Sequence, residues 1–225
     1  MEQLDVSVYR VPTDVPESDG TLEWDHTTIV IVEAMAGGMC GLGYTYADTA
    51  AAQFIRDHLV EVVRGRDAMA VSGAWTAMLH AVRNLGRTGV AAMAIAAVDS
   101  ALWDLKARLL ELPLVTLIGA VRDGVPVYGS GGFTSYSAEQ LRAQLSDWVA
   151  RGLPLSAHTA PSLHAHPCCA LPAVRHLEYF HDHVRIERMF FEGTPTPANG
   201  SLRPDLTRPG MGLVLKRSDA QRYAL

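Results

Sequence analysis

His158, His164, His166, Cys168, Cys169, His176, His181 and His183 fall within 26 positions, and Glu178 lies among them. Imidazoles and thiols at such density invite a zinc reading, because zinc takes nitrogen and sulfur ligands that converge tetrahedrally. His164-x-His166-x-Cys168 would put three ligands on one face of an extended strand. Pro167 speaks against a regular central strand there, which favours histidines that are satisfied internally or solvated. No other motif binds a recognisable cofactor. Gly129-x-Gly131-Gly132 has neither the spacing nor the lysine of a phosphate-binding loop.

The bulk composition narrows the partners. With 48% hydrophobic and 19% charged residues in 225, the chain is expected to be globular, as one large domain or two small ones. A formal net charge of -5 without any Lys/Arg run gives no attraction to nucleic acid or to an anionic membrane. The start, Met-Glu-Gln-Leu-Asp, lacks the basic and apolar regions of a secretory signal, and the apolar stretch Val90 to Val98 is too short to span a bilayer. Three cysteines, two of them adjacent, do not suggest a disulfide framework. A cytoplasmic protein with no nucleic-acid or membrane partner is expected.

The elements that must position these residues are read from periodicity. Leu4, Val6 and Val8 alternate with polar positions as in a half-buried strand, Thr27 to Glu33 is β-branched, and Met39 to Tyr46 returns after the Gly37-Gly38 turn. Residues 11–26, with two prolines and several acids, read as a long loop inside this antiparallel meander. Helices are expected from Asp48 or Thr49 to about Arg64, from Ser72 to Leu85, and from Val90 to about Leu112, where Pro113 stops the last one. The first half of that helix is apolar nearly all round, which marks it as buried, and Asp104 and Arg108 form an i,i+4 pair further on. A short strand at Val125–Tyr128, a helix from Ser137, short strands at 153–158 and 174–180, and a Pro/Gly-rich tail wrapping back over the surface complete the pattern.

Residues 91–119 read AAMAIAAVDSALWDLKARLLELPLVTLIG. The Ala-rich run, Asp99, Ala101-Leu102-Trp103-Asp104-Leu105 and the closing Leu117-Ile118-Gly119 resemble the helix signature of the mandelate racemase/muconate lactonizing group of the enolase superfamily. By that resemblance residues 1–124 form an α+β capping domain, and residues 125–225 an incomplete α/β (TIM-type) barrel of about three strands. Val125-Pro126-Val127-Tyr128 is similar to the first barrel strand, Pro154-Leu155-Ser156-Ala157-His158 to the seventh and His176-Leu177-Glu178 to the eighth. The resemblance makes His158 the ancestral general base and Glu178 the contact to a substrate carboxylate or enediolate. It places Glu23, Trp24 and Asp25 in the cap loop that closes over substrate.

What the resemblance requires and the sequence lacks is equally specific. The family abstracts a proton α to a carboxylate and stabilises the enediolate on Mg²⁺ held by three carboxylates, with a Lys-x-Lys pair nearby. Here the only lysines are Lys106 and Lys216, and no Asp or Glu lies between Asp147 and Glu178. A complete barrel takes roughly 200–250 residues, whereas about 100 follow the cap. The expectation is therefore a deletion of the barrel's middle, with a seam near Gly152-Leu153, no metal ligands and no cofactor in this chain. Such a chain would be inactive and prone to homo-oligomerise or aggregate. Two other readings stand beside it. One is a residual racemase, cycloisomerase or acid-sugar dehydratase completed in an oligomer; the other is a non-enzymatic module that binds a full-length paralogue.

Overall fold

The computed structural model describes residues 1–18, 21–130, 135–140, 143, 160–170 and 176–224. Strands β1 (Gln3–Ser18), β2 (Glu23–Ala36) and β3 (Met39–Tyr46) form an antiparallel sheet in that order. Side chains alternate faces along a strand, and β2 uses both. Val30, Val32 and Ala34 enter a core with the helices, whereas Ile29 and Ile31 pack with Leu42, Tyr44, Phe190 and Phe191 on the other side. The expected loop at 11–26 is largely strand instead. Val11 and Pro12 pair with Thr27 and His26, and Glu17 and Ser18 resume pairing with Trp24 and Glu23 after a register shift. β1 is an edge strand, where proline costs no ladder bond, and the irregularity absorbs the Pro-rich stretch.

Asp48 caps helix α1 (Thr49–Phe54) by accepting the Ala50 amide at 2.8 Å, and a π-helical turn, Ile55–Leu59, joins it to α2 (Val60–Val63). Helix α3 (Val71–Ala81) and the buried α4 (Val90–Leu109) follow. α4 lies directly on β3. A Cβ at Gly43 would meet the Ala97 carbonyl and the Ala101 amide, and one at Gly41 the Ala101 carbonyl and the Leu105 amide. The small residues thus set the helix–sheet distance, as the Ala-rich pattern implies.

Beyond α5 (Leu114–Ile118), β4 (Val125–Ser130) opens the second part. Ser137 and Gln140 exchange side-chain bonds with each other's backbone amides, the reciprocal cap of a helix start. Helix α6 (Pro161–Ala170), strand β5 (Leu177–Phe180) and helix α7 (His181–Phe190) follow. β5 runs parallel to β4 with Val127 opposite Leu177 and Tyr128 opposite Glu178. The two-residue strands β6 (Phe191–Glu192), β7 (Ser201–Leu202) and β8 (Val214–Leu215) complete the sheets, β7 antiparallel to β4 and β6 to β8. A short helix α8 (Arg217–Ala220) ends the chain's regular structure with one 3₁₀ turn. The fold is an α+β cap followed by an incomplete barrel; among the described residues no closed barrel exists.

The C-terminal segment does more than wrap the surface. Leu202, Met211 and Leu213 are buried, and Gly210, at φ 68°, exchanges backbone bonds with Leu112 and Leu114. A side chain at Gly210 would collide with Asp104. Fully buried Asp104 accepts from the amides of Leu42 (2.8 Å) and Met211 (2.6 Å) and from Arg108 Nε (2.6 Å). One carboxylate thereby ties β3, α4 and the closing segment together. No helix among the described residues is long and apolar enough to cross a membrane.

Candidate functional site

Glu178 occupies the second position of β5 and is buried. Three residues on, helix α7 begins, and its first turn carries Asp182, which is also buried. Asp182 accepts from Thr27 Oγ1 at 2.6 Å and from Arg185 Nη2 at 2.7 Å. Arg185 continues to the Pro12 carbonyl (2.6 Å) and lies 3.4 Å from Asp14, which also meets His181 at 3.3 Å. The β1–β2 hairpin is therefore fastened to the turn that follows Glu178. The i,i+3 spacing of Asp182 and Arg185 is visible in the sequence, but their partners in the hairpin are not.

Within that hairpin, Trp24 Nε1 donates to Glu17 at 2.8 Å. Burial, and then the Asp182 charge, push Glu17 up to about 7, so it holds or releases a proton near neutrality. Asp25 lies on the other side of Trp24 along the strand. Its bond to His26 (2.6 Å) holds its carboxyl below the usual range, and it is exposed, as is Glu23. Of the three residues expected in a closing loop, Trp24 alone has its side-chain bond directed into the hairpin–α7 junction. All three belong to β2 and not to a loop, because Trp24 and Glu23 resume pairing with Glu17 and Ser18 beyond the register shift. The residue that sequence reasoning missed is Glu17, hidden in a stretch whose prolines and acids suggested solvent.

His158 and the seam at 152–153 lie outside the described residues. The remaining histidines and cysteines have separate fates. His164, His166 and Cys168 belong to helix α6 and not to an extended strand, so a two-residue spacing turns successive side chains roughly 200° apart. Pro161 starts the helix, where its missing N–H costs nothing. His166 accepts the Val115 amide through Nδ1 at 3.2 Å, and burial lowers it to about 4, keeping it neutral. Burial pushes the Cys168 thiol up to about 11. The His183 ring stacks on Tyr46 with centroids 3.4 Å apart, and its Nδ1 accepts from Ala160. Among the described residues no group of three or more such side chains is arranged to hold a metal. The two neighbouring acids, Glu17 and Asp182, are engaged with Trp24, Thr27 and Arg185.

A second acid network joins the two parts behind the hairpin. Glu187 is buried and accepts from Tyr44 OH at 2.7 Å and from the Ser162 amide at 3.1 Å, while the same Tyr44 oxygen accepts the Leu163 amide at 3.0 Å. Burial pushes Glu187 up to about 7 and Tyr44 well above its ordinary value.

Residues 4–119 match the family described as mandelate racemase / muconate lactonizing enzyme, N-terminal domain, and residues 140–220 match the enolase C-terminal domain-like family. L-talarate/galactarate dehydratase from Salmonella typhimurium is 34% identical over 152 residues, which is 63% of this chain but 38% of that protein. The chain thus spans less than half the length of that curated relative. A mandelate racemase/muconate lactonizing enzyme-like protein from Rubrobacter xylanophilus has a crystal structure that superposes with a TM-score of 0.96 at 36% identity, covering 100% of this chain and 99% of that one. L-talarate dehydratase from Polaromonas, complexed with Mg and L-glucarate, shares the fold at a TM-score of 0.82 and 19% identity, covering 100% and 97%. With residues 4–119, more than half of the chain, matched to its N-terminal domain and residues 140–220 to the enolase C-terminal domain-like family, the chain belongs to the mandelate racemase/muconate lactonizing enzyme family of the enolase superfamily.

Proposed function

We propose that this chain is a remnant of an acid-sugar isomerase or dehydratase that keeps the scaffold around the substrate but not the Mg²⁺-dependent proton abstraction. The observation that carries this reading is the use made of its two lysines. Lys106 Nζ sits over the Trp103 ring at 5.2 Å, and Lys216 Nζ donates to the Arg188 carbonyl at 2.6 Å. Neither is a free base, and no acid between Asp147 and Glu178 replaces the family's carboxylates or the partner of the His base. A proton α to a carboxylate leaves only when the enediolate is stabilised, and the metal supplies several kcal/mol of that stabilisation. In this reading residues 1–124 are the cap and 125–225 the shortened barrel. His158 and Glu178 occupy ancestral catalytic positions, and Glu23, Trp24 and Asp25 the ancestral substrate side.

Hydrogen–deuterium exchange followed by NMR on L-talarate, galactarate and further acid sugars, with and without Mg²⁺, tests the proposal. No exchange above the protein-free rate is expected. Metal-dependent exchange at the carbon next to the carboxylate would overturn it and restore the reading of an enzyme completed by a second copy.

A further inference from the structure

A cavity of about 390 Å³ lies between the cap and the segments that follow it. Tyr46, Asp99, Trp103 and Ile118 line it from the cap, and His164, Pro167 and Met211 from the other side. Neither Glu178 nor Glu17, Glu23, Trp24 or Asp25 borders it; Tyr44 and Leu163 of the Glu187 network do. Its volume falls in the range of small-molecule sites.

Asp99 is the one acid among these wall residues, and it is uncompensated. Among the described residues no cation or hydrogen-bond donor reaches its carboxyl. The hydroxyl of neighbouring Ser100, another wall residue, donates to the Ala96 carbonyl at 2.8 Å, and Lys106 sits on Trp103. Burial pushes Asp99 up to about 6, with nothing pulling it back. At neutral pH it is therefore an ionised group facing an apolar and aromatic space, a costly state that a cationic ligand relieves. The other walls suit such a ligand, because indole and phenol rings attract ammonium groups through their faces. The Trp103 ring already shows that behaviour with Lys106.

We propose that this cavity binds an organic cation, an ammonium group on an aryl or short alkyl body, with Asp99 as counter-ion and Trp103 and Tyr46 as aromatic walls. The same charge repels carboxylates, so the acid sugars of the family's relatives are the wrong class for it. A ligand here touches both the cap and the later helices, and its binding stabilises their contact by mass action.

Calorimetry on the full chain at pH 8, where Asp99 is ionised, distinguishes the outcomes. Benzylamine, benzyl alcohol and benzoate present one ring with three charges. Benzylamine is expected to bind about tenfold or more tightly than benzyl alcohol, as a hydrogen bond to a charged group implies, and benzoate not at all. Asp99→Asn is expected to bring benzylamine down to the level of the alcohol while leaving the alcohol unchanged. Ala96→Phe, at an exposed position of α4 that also lines the cavity, is expected to abolish both without changing the circular dichroism. Equal affinity for amine and alcohol on the unaltered chain overturns the proposal. So does an Asp99→Asn protein that still prefers the amine. Should that variant not fold, the amine–alcohol comparison together with Ala96→Phe decides the matter.

Discussion

At the scale of single residues, Asp104 and Glu17 show how burial divides carboxylates into fasteners and proton holders. Asp104 accepts from three donors, and Glu17 accepts from the Trp24 indole. Asp104→Ala leaves Arg108 half-buried and two amides without an acceptor, and is expected to cost about 3–5 kcal/mol in urea unfolding. Glu17 offers a spectroscopic check. Trp24 fluorescence is expected to titrate with a midpoint near pH 7 as its acceptor gains a proton, and Glu17→Gln to abolish that step. The Asp104–Arg108 pair is legible from its i,i+4 spacing. Its amide donors are not, because Leu42 and Met211 stand 62 and 107 positions away.

Elements were legible where periodicity and stop signals agreed. The three strands of the cap, α3, α4 and the β4 start follow directly from alternation, helical spacing and Pro113. Two segments misled for physical reasons. Pro12 and Pro16 look like loop residues, yet they sit on an edge strand whose irregular register tolerates them. His164 to Cys168 has a spacing that suits a strand, but Pro161 and packing against α5 and the β4–β5 sheet make it a helix. The close approach of α4 to β3 yields a sharp prediction. Gly43→Ala forces a methyl group into the Ala97 carbonyl and is expected to destabilise by about 1–3 kcal/mol. The substitution Gly73→Ala, whose Cβ meets nothing within 4 Å, serves as the control in the same melting experiment.

Across the whole molecule, cap and shortened barrel share a core. Tyr9, Ile29, Ile31 and Tyr44 of the cap pack with Phe190, Phe191 and Leu213, and the Tyr44–Glu187 bond joins the same two parts. Glu187→Gln probes that contact through pH. Its folded-state pKa of about 7 lies above the ordinary 4.5, so its stabilising contribution is complete below about pH 4.5 and is lost as pH rises to about 7. The loss is on the order of 3 kcal/mol. Unfolding at pH 5 and pH 8 is expected to show Glu187→Gln less pH-dependent than the parent chain and relatively more stable at pH 8. The shared core also predicts a single calorimetric transition, with Phe190→Ala lowering it for both parts by about 3–5 kcal/mol.

The parallel register of β4 and β5 carries one more consequence. In a cylinder of strands the first and last must meet, and that junction depends on residues far apart in sequence. Here Val127 already faces Leu177 and Ser130 faces Phe180. A block of consecutive strand–helix units transplanted from a full-length relative between these two strands would find the closing pair already in register, while its first strand would have to displace β7 from Val125 and Pro126. The chain is thus a natural recipient for grafting, in which Mg²⁺ binding by the chimera would report directly whether the donated block has closed the circle.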